Sequence, residues 1–210
     1  MSATRMLCRD TDVAMENQRL RTELERARME VRTLIEQATT DELTGLLNRR
    51  GFLRMAELEL RQAQTEQRSL TLVYVDVDGL KTLNDKAGHE AGDAMLVETA
   101  ALLRAAFRST DVLARLGGDE FVVLTRGLHG DGAIIRHRIA RLSEALHRSG
   151  AQSREISLSA GVILAAPCPV PSLDDLLNRA DKAMYEIKQA KSELYCGDLR
   201  RLSPMLSMAF

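Results

Sequence analysis

The sequence predicts an α/β domain, built on a mixed or antiparallel sheet flanked by helices, behind a long N-terminal helix. Three observations carry that prediction. Apolar runs of strand length alternate with segments of helical period from Arg49 to Lys191. Two of the strand runs are separated only by a turn around Gly117-Gly118, which makes them a hairpin rather than a crossover pair. No glycine or proline interrupts Val13–Ala38, a stretch rich in Glu, Arg, Leu, Ala and Met.

Within that first stretch Leu20, Leu24, Ala27, Val31, Leu34 and Ala38 follow at spacings of four, three, four, three and four, a rhythm that extends back to Asn17 and Val13. This is the a/d pattern of a two-stranded coiled coil, in which an Asn at a core position fixes register at some cost in stability. Residues 1–40 are therefore expected to form a homodimer helix. The plain alternative is a lone amphipathic helix lying on its own globular domain. With fewer than four full heptads, the pairing needs help from other dimer contacts.

The heptads stop at Thr39-Thr40-Asp41-Glu42, where a turn hands the chain to a globular unit expected over 41–192. An ion pair of Asp41 with Arg49 or Arg50 is expected at that turn. A helix follows over Arg49–Gln67, then a buried strand, Leu70–Val77, whose end presents Asp76 and Asp78. Helices are predicted at Lys81–Lys86 and Gly92–Phe107, and the hairpin strands at Val112–Leu116 and Glu120–Thr125. A helix over Ala133–Ser149, a strand over Glu155–Leu164, a link over Pro167–Pro171 and a last helix over Leu173–Lys191 complete the unit. The tail, 193–210, gives little signal.

The chain has 210 residues, 45% hydrophobic, enough for one buried domain and an appendage. Charged residues make up 28% but balance to a net charge of −1, so there is no electrostatic footprint for a nucleic acid or an acidic membrane surface. Cys8, Cys168 and Cys196 have neither metal-ligand spacing nor an even count for disulfides. The charged Met1–Asp10 stretch is unlike a signal peptide, and no apolar run reaches membrane-span length. A cytoplasmic location is the expectation.

Chemistry is concentrated in two acidic segments. If the Leu70–Val77 strand neighbours the hairpin, Asp76, Asp78, Asp119 and Glu120 converge on one sheet edge. Convergent carboxylates raise one another's pKa, and such sets are kept mostly to hold a divalent cation; all-oxygen ligands favour Mg²⁺ or Mn²⁺. Gly117 and Gly118 leave the backbone open to a phosphate. Two metals among carboxylates, facing a phosphate, suit in-line attack on phosphorus. The plain alternative for Gly-Gly-Asp-Glu alone is an acidic surface turn.

That alternative weakens once the longer run Asp76-Val-Asp-Gly-Leu-Lys81-Thr-Leu-Asn84-Asp-Lys-Ala-Gly88-His89-Glu-Ala-Gly92-Asp93 is read with Arg115-Leu-Gly-Gly-Asp-Glu-Phe121. Two further blocks flank them in order: Asp41-Glu-Leu-Thr-Gly-Leu-Leu-Asn-Arg-Arg-Gly-Phe52 and Ala180-Asp-Lys-Ala-Met-Tyr-Glu-Ile-Lys188. Together, over about Asp41–Lys191, the chain resembles the GGDEF-domain diguanylate cyclases.

The resemblance implies a nucleotide-cyclase palm-like fold and the condensation of two GTP into cyclic di-GMP with release of two pyrophosphates. It implies two Mg²⁺ (or Mn²⁺) per active site on Asp76, the Val77 carbonyl, Asp119 and Glu120, with Glu120 also assisting deprotonation of the attacking 3′-hydroxyl. Lys81, which a strand-end position also suggests, would neutralise phosphate charge. Asn84 and Asp93 would read guanine: the amide its carbonyl and ring nitrogen, the carboxylate its N1 and N2 donors, which adenine lacks. His89 would lie by that pocket or serve only as a cap, and Lys188 would reach the triphosphate.

Arg108-Ser-Thr-Asp111, with five residues between Asp111 and Gly117, matches the family's Arg-x-x-Asp inhibitory site for the cyclic di-GMP product, with Arg136, Arg138 or Arg141 completing it. The plain alternative is an ion pair at a helix end. Two departures stand out. Leu80 replaces an aromatic, and Lys191-Ser192 replaces the Gly-Arg whose arginine would grip a terminal phosphate, for which a lysine is only a point charge. Two rivals to the enzyme reading follow. One is a catalytically weak GGDEF domain that binds GTP or cyclic di-GMP as a regulatory module. The other is an interaction protein working mainly through its coiled coil.

Overall fold

The computed structural model describes residues 2–127, 132–166 and 171–206, with side chains described over 15–127, 132–166 and 171–193. It divides at residue 39 into two units, each described by itself. The first is a helix, α1 (Ser2–Thr39), held along its surface by i,i+4 pairs such as Arg19–Glu23 and Arg32–Glu36. Leu20, Leu24, Val31 and Leu34 are each half or more exposed on it.

The second unit runs α2 (Arg49–Thr65), β1 (Leu70–Val77), α3 (Leu80–Ala87), α4 (His89–Ala106), β2 (Val112–Gly117), β3 (Glu120–Arg126), α5 (Gly132–Arg148), β4 (Leu158–Ala165) and α6 (Leu173–Leu206). Its four strands lie in the order β2-β3-β1-β4, with every neighbouring pair antiparallel. The only parallel contact among the described residues is a bridge between Leu47 and Ala114, which covers the outer edge of β2.

β1 is buried along its whole length because both faces are covered. Val73, Val75, Val77, Val123 and Ala160 pack with α3, α4 and α5 through Leu80, Leu96, Leu103, Ile135 and Ile139. On the other face Leu70, Leu72, Tyr74, Val122 and Leu124 pack with α2 and α6 through Phe52, Ala56, Leu60, Leu176 and Met184. Leu80 is buried in the first of these layers, so the leucine keeps the apolar role of the aromatic it replaces.

Boundaries follow local hydrogen bonding. Asn48 caps α2, its side chain accepting from the Gly51 N–H at 3.0 Å. α3 and α4 meet at Gly88, whose φ of +83° turns the chain while its N–H bonds the Asn84 carbonyl. The fourth strand starts at Leu158, not Glu155: both backbone groups of Ile156 are taken by the Ser143 hydroxyl, which removes it from the ladder. The tail that gave little signal continues the backbone of α6 as far as Leu206. The predicted link lies outside the described residues except for Pro171, as does Cys168. Among the described residues, no helix is long and apolar enough to cross a membrane.

Candidate active site

The antiparallel pairing of β1 with β3 sets the acidic residues against each other. Asp76 pairs with Glu120 across the ladder, and the next N–H, that of Val77, bonds the Asp119 carbonyl at 3.1 Å. On its other side Asp76 pairs with Ser159 of β4. Register thus sets Asp76 opposite Glu120, at the end of the central strand.

Asp76 is buried, and α6 passes over it. The Lys188 ammonium lies 2.7 Å from Asp76 Oδ1. Burial pushes the Asp76 carboxyl up; the Lys188 hydrogen bond pulls it back, but the charges of Asp119 and Asp78 help keep it raised. Lys188 is also held above its ordinary value. Burial opposes this and is outweighed by Asp76, Asp119 and Asp78 around it. The cluster therefore carries more negative charge than one ammonium neutralises.

Asp78 behaves differently. It accepts from Ser157 Oγ at 2.6 Å, Ser159 Oγ at 2.7 Å and Lys191 Nζ at 2.7 Å. Burial pushes its carboxyl up, but these bonds together hold it below the ordinary carboxylate range. Lys191 also donates to the Leu158 carbonyl at 2.8 Å. The lysine that replaces the family's glycine is thus bound into a clasp between α6 and β4, and its charge faces a carboxylate.

The hairpin turn is held by a residue to which sequence reasoning gave no role. Arg115 donates from Nε and Nη2 to the Gly118 carbonyl, at 2.9 and 2.8 Å, and from Nη1 to Asp41 at 3.3 Å. Gly118, with φ of +52°, makes the turn. Asp41 accordingly pairs with Arg115 instead of Arg49 or Arg50, which sit exposed in the first turn of α2. On β1, Tyr74 is buried beside Glu120; burial first and then that carboxylate raise its hydroxyl well above the usual value.

Lys81 and Asn84 lie one turn apart on α3, Lys81 exposed and Asn84 partly buried. His89 opens α4, and Asp93 lies one turn on; both are exposed. Asn84 Oδ1 is buried with no hydrogen-bond partner.

The predicted cation fits the donor set in kind, since Asp76, Asp119, Glu120 and the Val77 carbonyl offer only oxygen. A cation, the Lys188 ammonium, already sits on Asp76. Among the described residues no three His, Cys, Asp or Glu side chains are gathered closely enough to hold an ion by themselves.

On the far side of β2 a cleft of about 490 Å³ is lined by Gly45, Met55, Glu59, Arg104, Arg108 and Asp111, among others. The Arg108 N–H bonds Asp111 Oδ2 at 2.8 Å and Thr125 Oγ1 bonds Asp111 Oδ1 at 2.8 Å. Among the described residues the Arg108 and Asp111 side chains form no ion pair with each other. The simple helix-end pair is therefore not what this segment builds. Of the three candidate arginines, Arg138 lies over Phe107, the residue before Arg108, its guanidinium 5.2 Å from the ring centre. Arg136 lines a different, small cavity with Ser157 and Lys191.

These features have counterparts among known proteins. The family described as diguanylate cyclase, GGDEF domain, matches residues 38–193. Diguanylate cyclase DgcS of Shewanella oneidensis is 32% identical over 177 residues, which cover 84% of this chain and 56% of DgcS. The GGDEF domain of TpbB from Pseudomonas aeruginosa superposes with a TM-score of 0.62 at 36% identity, covering 72% of this chain and 89% of that one. A microbial GGDEF domain solved for its interaction with cyclic di-GMP gives 0.62 at 30% identity, covering 75% and 94%. The chain spans just over half the length of DgcS. On its motifs, its fold and its sequence, the chain belongs to the GGDEF-domain diguanylate cyclase family.

Proposed function

We propose that this chain condenses two GTP into cyclic di-GMP, releasing two pyrophosphates, at an active site completed by a second copy. The observation that carries the reading is the pairing of Asp76 with Glu120 beside Asp119, under the Lys188 ammonium. Asp76, Asp119, Glu120 and the Val77 carbonyl would hold divalent Mg²⁺ or Mn²⁺, two per site. A divalent cation bound there would supply Lewis-acid polarisation of the α-phosphate and a lowered pKa for the 3′-hydroxyl.

The chain's own groups bind and orient. Gly117 and Gly118 admit the phosphates to the backbone, Lys81 and Lys188 meet their charge, and Asn84 and Asp93 read guanine with His89 alongside. Glu120 takes the hydroxyl proton as the 3′-oxygen bonds the α-phosphorus and pyrophosphate leaves; repeating this from the second nucleotide closes the ring. Each copy holds one GTP, so two copies must face each other, and the exposed apolar seam of α1 supplies the means of pairing.

The cleft beside Arg108 and Asp111 is the proposed product site, where guanidinium groups suit guanine and phosphate. The regulatory-module alternative has one specific support: Ser192 offers no arginine to the triphosphate, and Lys191 is engaged by Asp78. Incubation with GTP and Mg²⁺ separates the readings. Wild type is expected to yield cyclic di-GMP, identified by mass, and Asp119→Ala to lose at least ~100-fold in rate. Equal rates in the two would refute the assigned centre, and binding of cyclic di-GMP without turnover would favour the module.

A further inference from the structure

The described guanine reader has a feature its motif does not explain. Asn84 on α3 is packed against the first turns of α4, and its Oδ1 is buried without a hydrogen-bond partner. The space the oxygen occupies is the space a side chain at residue 92 would need. A β-carbon built on Gly92 falls 1.9 Å from Asn84 Oδ1, 2.9 Å from its Cγ and 3.2 Å from its Nδ2. Gly92 is itself buried and sits in the body of a helix without positive φ, so no backbone conformation calls for glycine there. In a helix, glycine is the less stable choice than alanine. Space for Asn84 is what the missing side chain provides.

The two ends of the amide are in unlike places. Oδ1 is enclosed, whereas Nδ2 is not among the buried unpartnered atoms and makes no hydrogen bond among the described residues. With the oxygen turned in against Gly92, the amide presents its N–H₂ outward, as a donor. A donor at that point recognises the acceptors of a purine edge, and Asp93, the next residue after Gly92, is an acceptor for the purine's own donors. Two successive helices, α3 with Asn84 and α4 with Asp93, thus offer both polarities a guanine requires.

We propose that Gly92 is a positioning residue for guanine: its lack of a side chain seats the Asn84 amide with Nδ2 facing the base. This rests on the GTP reading given above. An alanine at 92 would meet the far end of a flexible side chain rather than backbone, so Asn84 swings away while α3 and α4 stay in place. The fold survives and the reader is lost.

The test uses the full chain and 3′-deoxy-GTP with Mg²⁺, a probe that lacks the attacking hydroxyl and binds without turnover. Its dissociation constant is measured calorimetrically, with thermal midpoints as a control. Gly92→Ala is expected to bind about 10-fold more weakly than wild type, the scale of one lost hydrogen bond with a buried partner, with an unchanged or higher midpoint. Asn84→Ala is expected to lose a similar factor. The double variant should bind no more weakly than Asn84→Ala alone, because with alanine at 84 nothing remains for residue 92 to displace.

Wild-type affinity in Gly92→Ala overturns the proposal, and so does a loss in the double variant that multiplies the two single losses, since residue 92 would then act independently of Asn84. A wild-type chain that binds no guanine nucleotide overturns the GTP reading itself, and the proposal with it.

Discussion

Arg115 joins three parts of the chain that are far apart in sequence: its own strand, the Gly118 carbonyl of the hairpin turn, and Asp41 at the opening turn. Asp41 in turn accepts from the Thr44 N–H and hydroxyl, at 2.9 and 2.6 Å. Burial pushes the Asp41 carboxyl up, but the Thr44 bonds and the Arg115 charge outweigh it and hold the group below its ordinary 3.8. A depressed carboxylate stabilises the fold fully above its unfolded pKa, and that contribution is lost as pH falls through the folded value. Asp41→Asn should therefore lower the thermal midpoint at pH 7, and the gap to wild type should narrow as pH falls below about 4. A gap that is constant with pH would mean the shape of the turn, and not its charge, is what Asn disturbs. The polar motif residues Asp76, Asp119, Glu120, Lys81, Asn84 and Asp93 could be picked out from sequence because all stand in the recognised runs. Arg115 was in view too, yet its partner was not. Arg49 and Arg50 are nearer Asp41 in sequence, and only the folded hairpin brings Arg115 to it. Ser157 and Ser159 were invisible for the same reason, since nothing local says that β4 lies beside β1.

At the scale of elements, α6 carries Lys188 and Lys191 to the sheet, and one glycine sets how close it comes. A β-carbon on Gly161 of β4 would stand 2.0 Å from the Ala180 carbonyl oxygen and 2.4 Å from the Met184 nitrogen. Those atoms are backbone, so no rotamer change relieves the clash and the helix must move. Gly161→Ala is expected to cost about 2–3 kcal/mol of stability, seen in denaturant unfolding. It should also lower the rate of GTP turnover out of proportion, because Lys188 moves with α6 and loses its 2.7 Å contact with Asp76. Loss of stability with normal turnover in the folded fraction would show that the site tolerates the shift. Period and turn chemistry made most elements readable: the buried run of β1, the two-glycine hairpin, and the helices on each side. The start of β4 was misread because an apolar residue, Ile156, looks like strand while its backbone bonds to the Ser143 side chain. The complete strand order was not readable, since it follows from which strand edges meet and not from any one segment's pattern.

For the whole molecule, the chemistry proposed here fixes the stoichiometry. On that proposal one copy supplies one set of acidic groups and one guanine reader, so a single chain would bind its nucleotide but have no partner oxygen to attack it. The rate then depends on how often two copies face each other, which is a concentration, and pairing through α1 would raise it to an effective value of roughly millimolar. The seam Leu20, Leu24, Ala27, Val31 and Leu34 is the face available for this; its large members are exposed in the single chain. Met29 is exposed as well, somewhat more than the seam residues, but lies off that seam, which provides an off-seam control. Leu24→Glu combined with Leu34→Glu places charges at the core positions and should give a monomer by sedimentation at micromolar concentration. Turnover per subunit should fall on the order of 100-fold and rise with protein concentration, while binding of 3′-deoxy-GTP stays as in wild type. Met29→Glu should change none of these. Were Met29→Glu to dissociate the chain as well as the seam variant does, the heptad assignment would fail. Were the seam variant to turn over GTP at the wild-type rate as a monomer, the two-copy mechanism itself would fail, since no second GTP could be supplied.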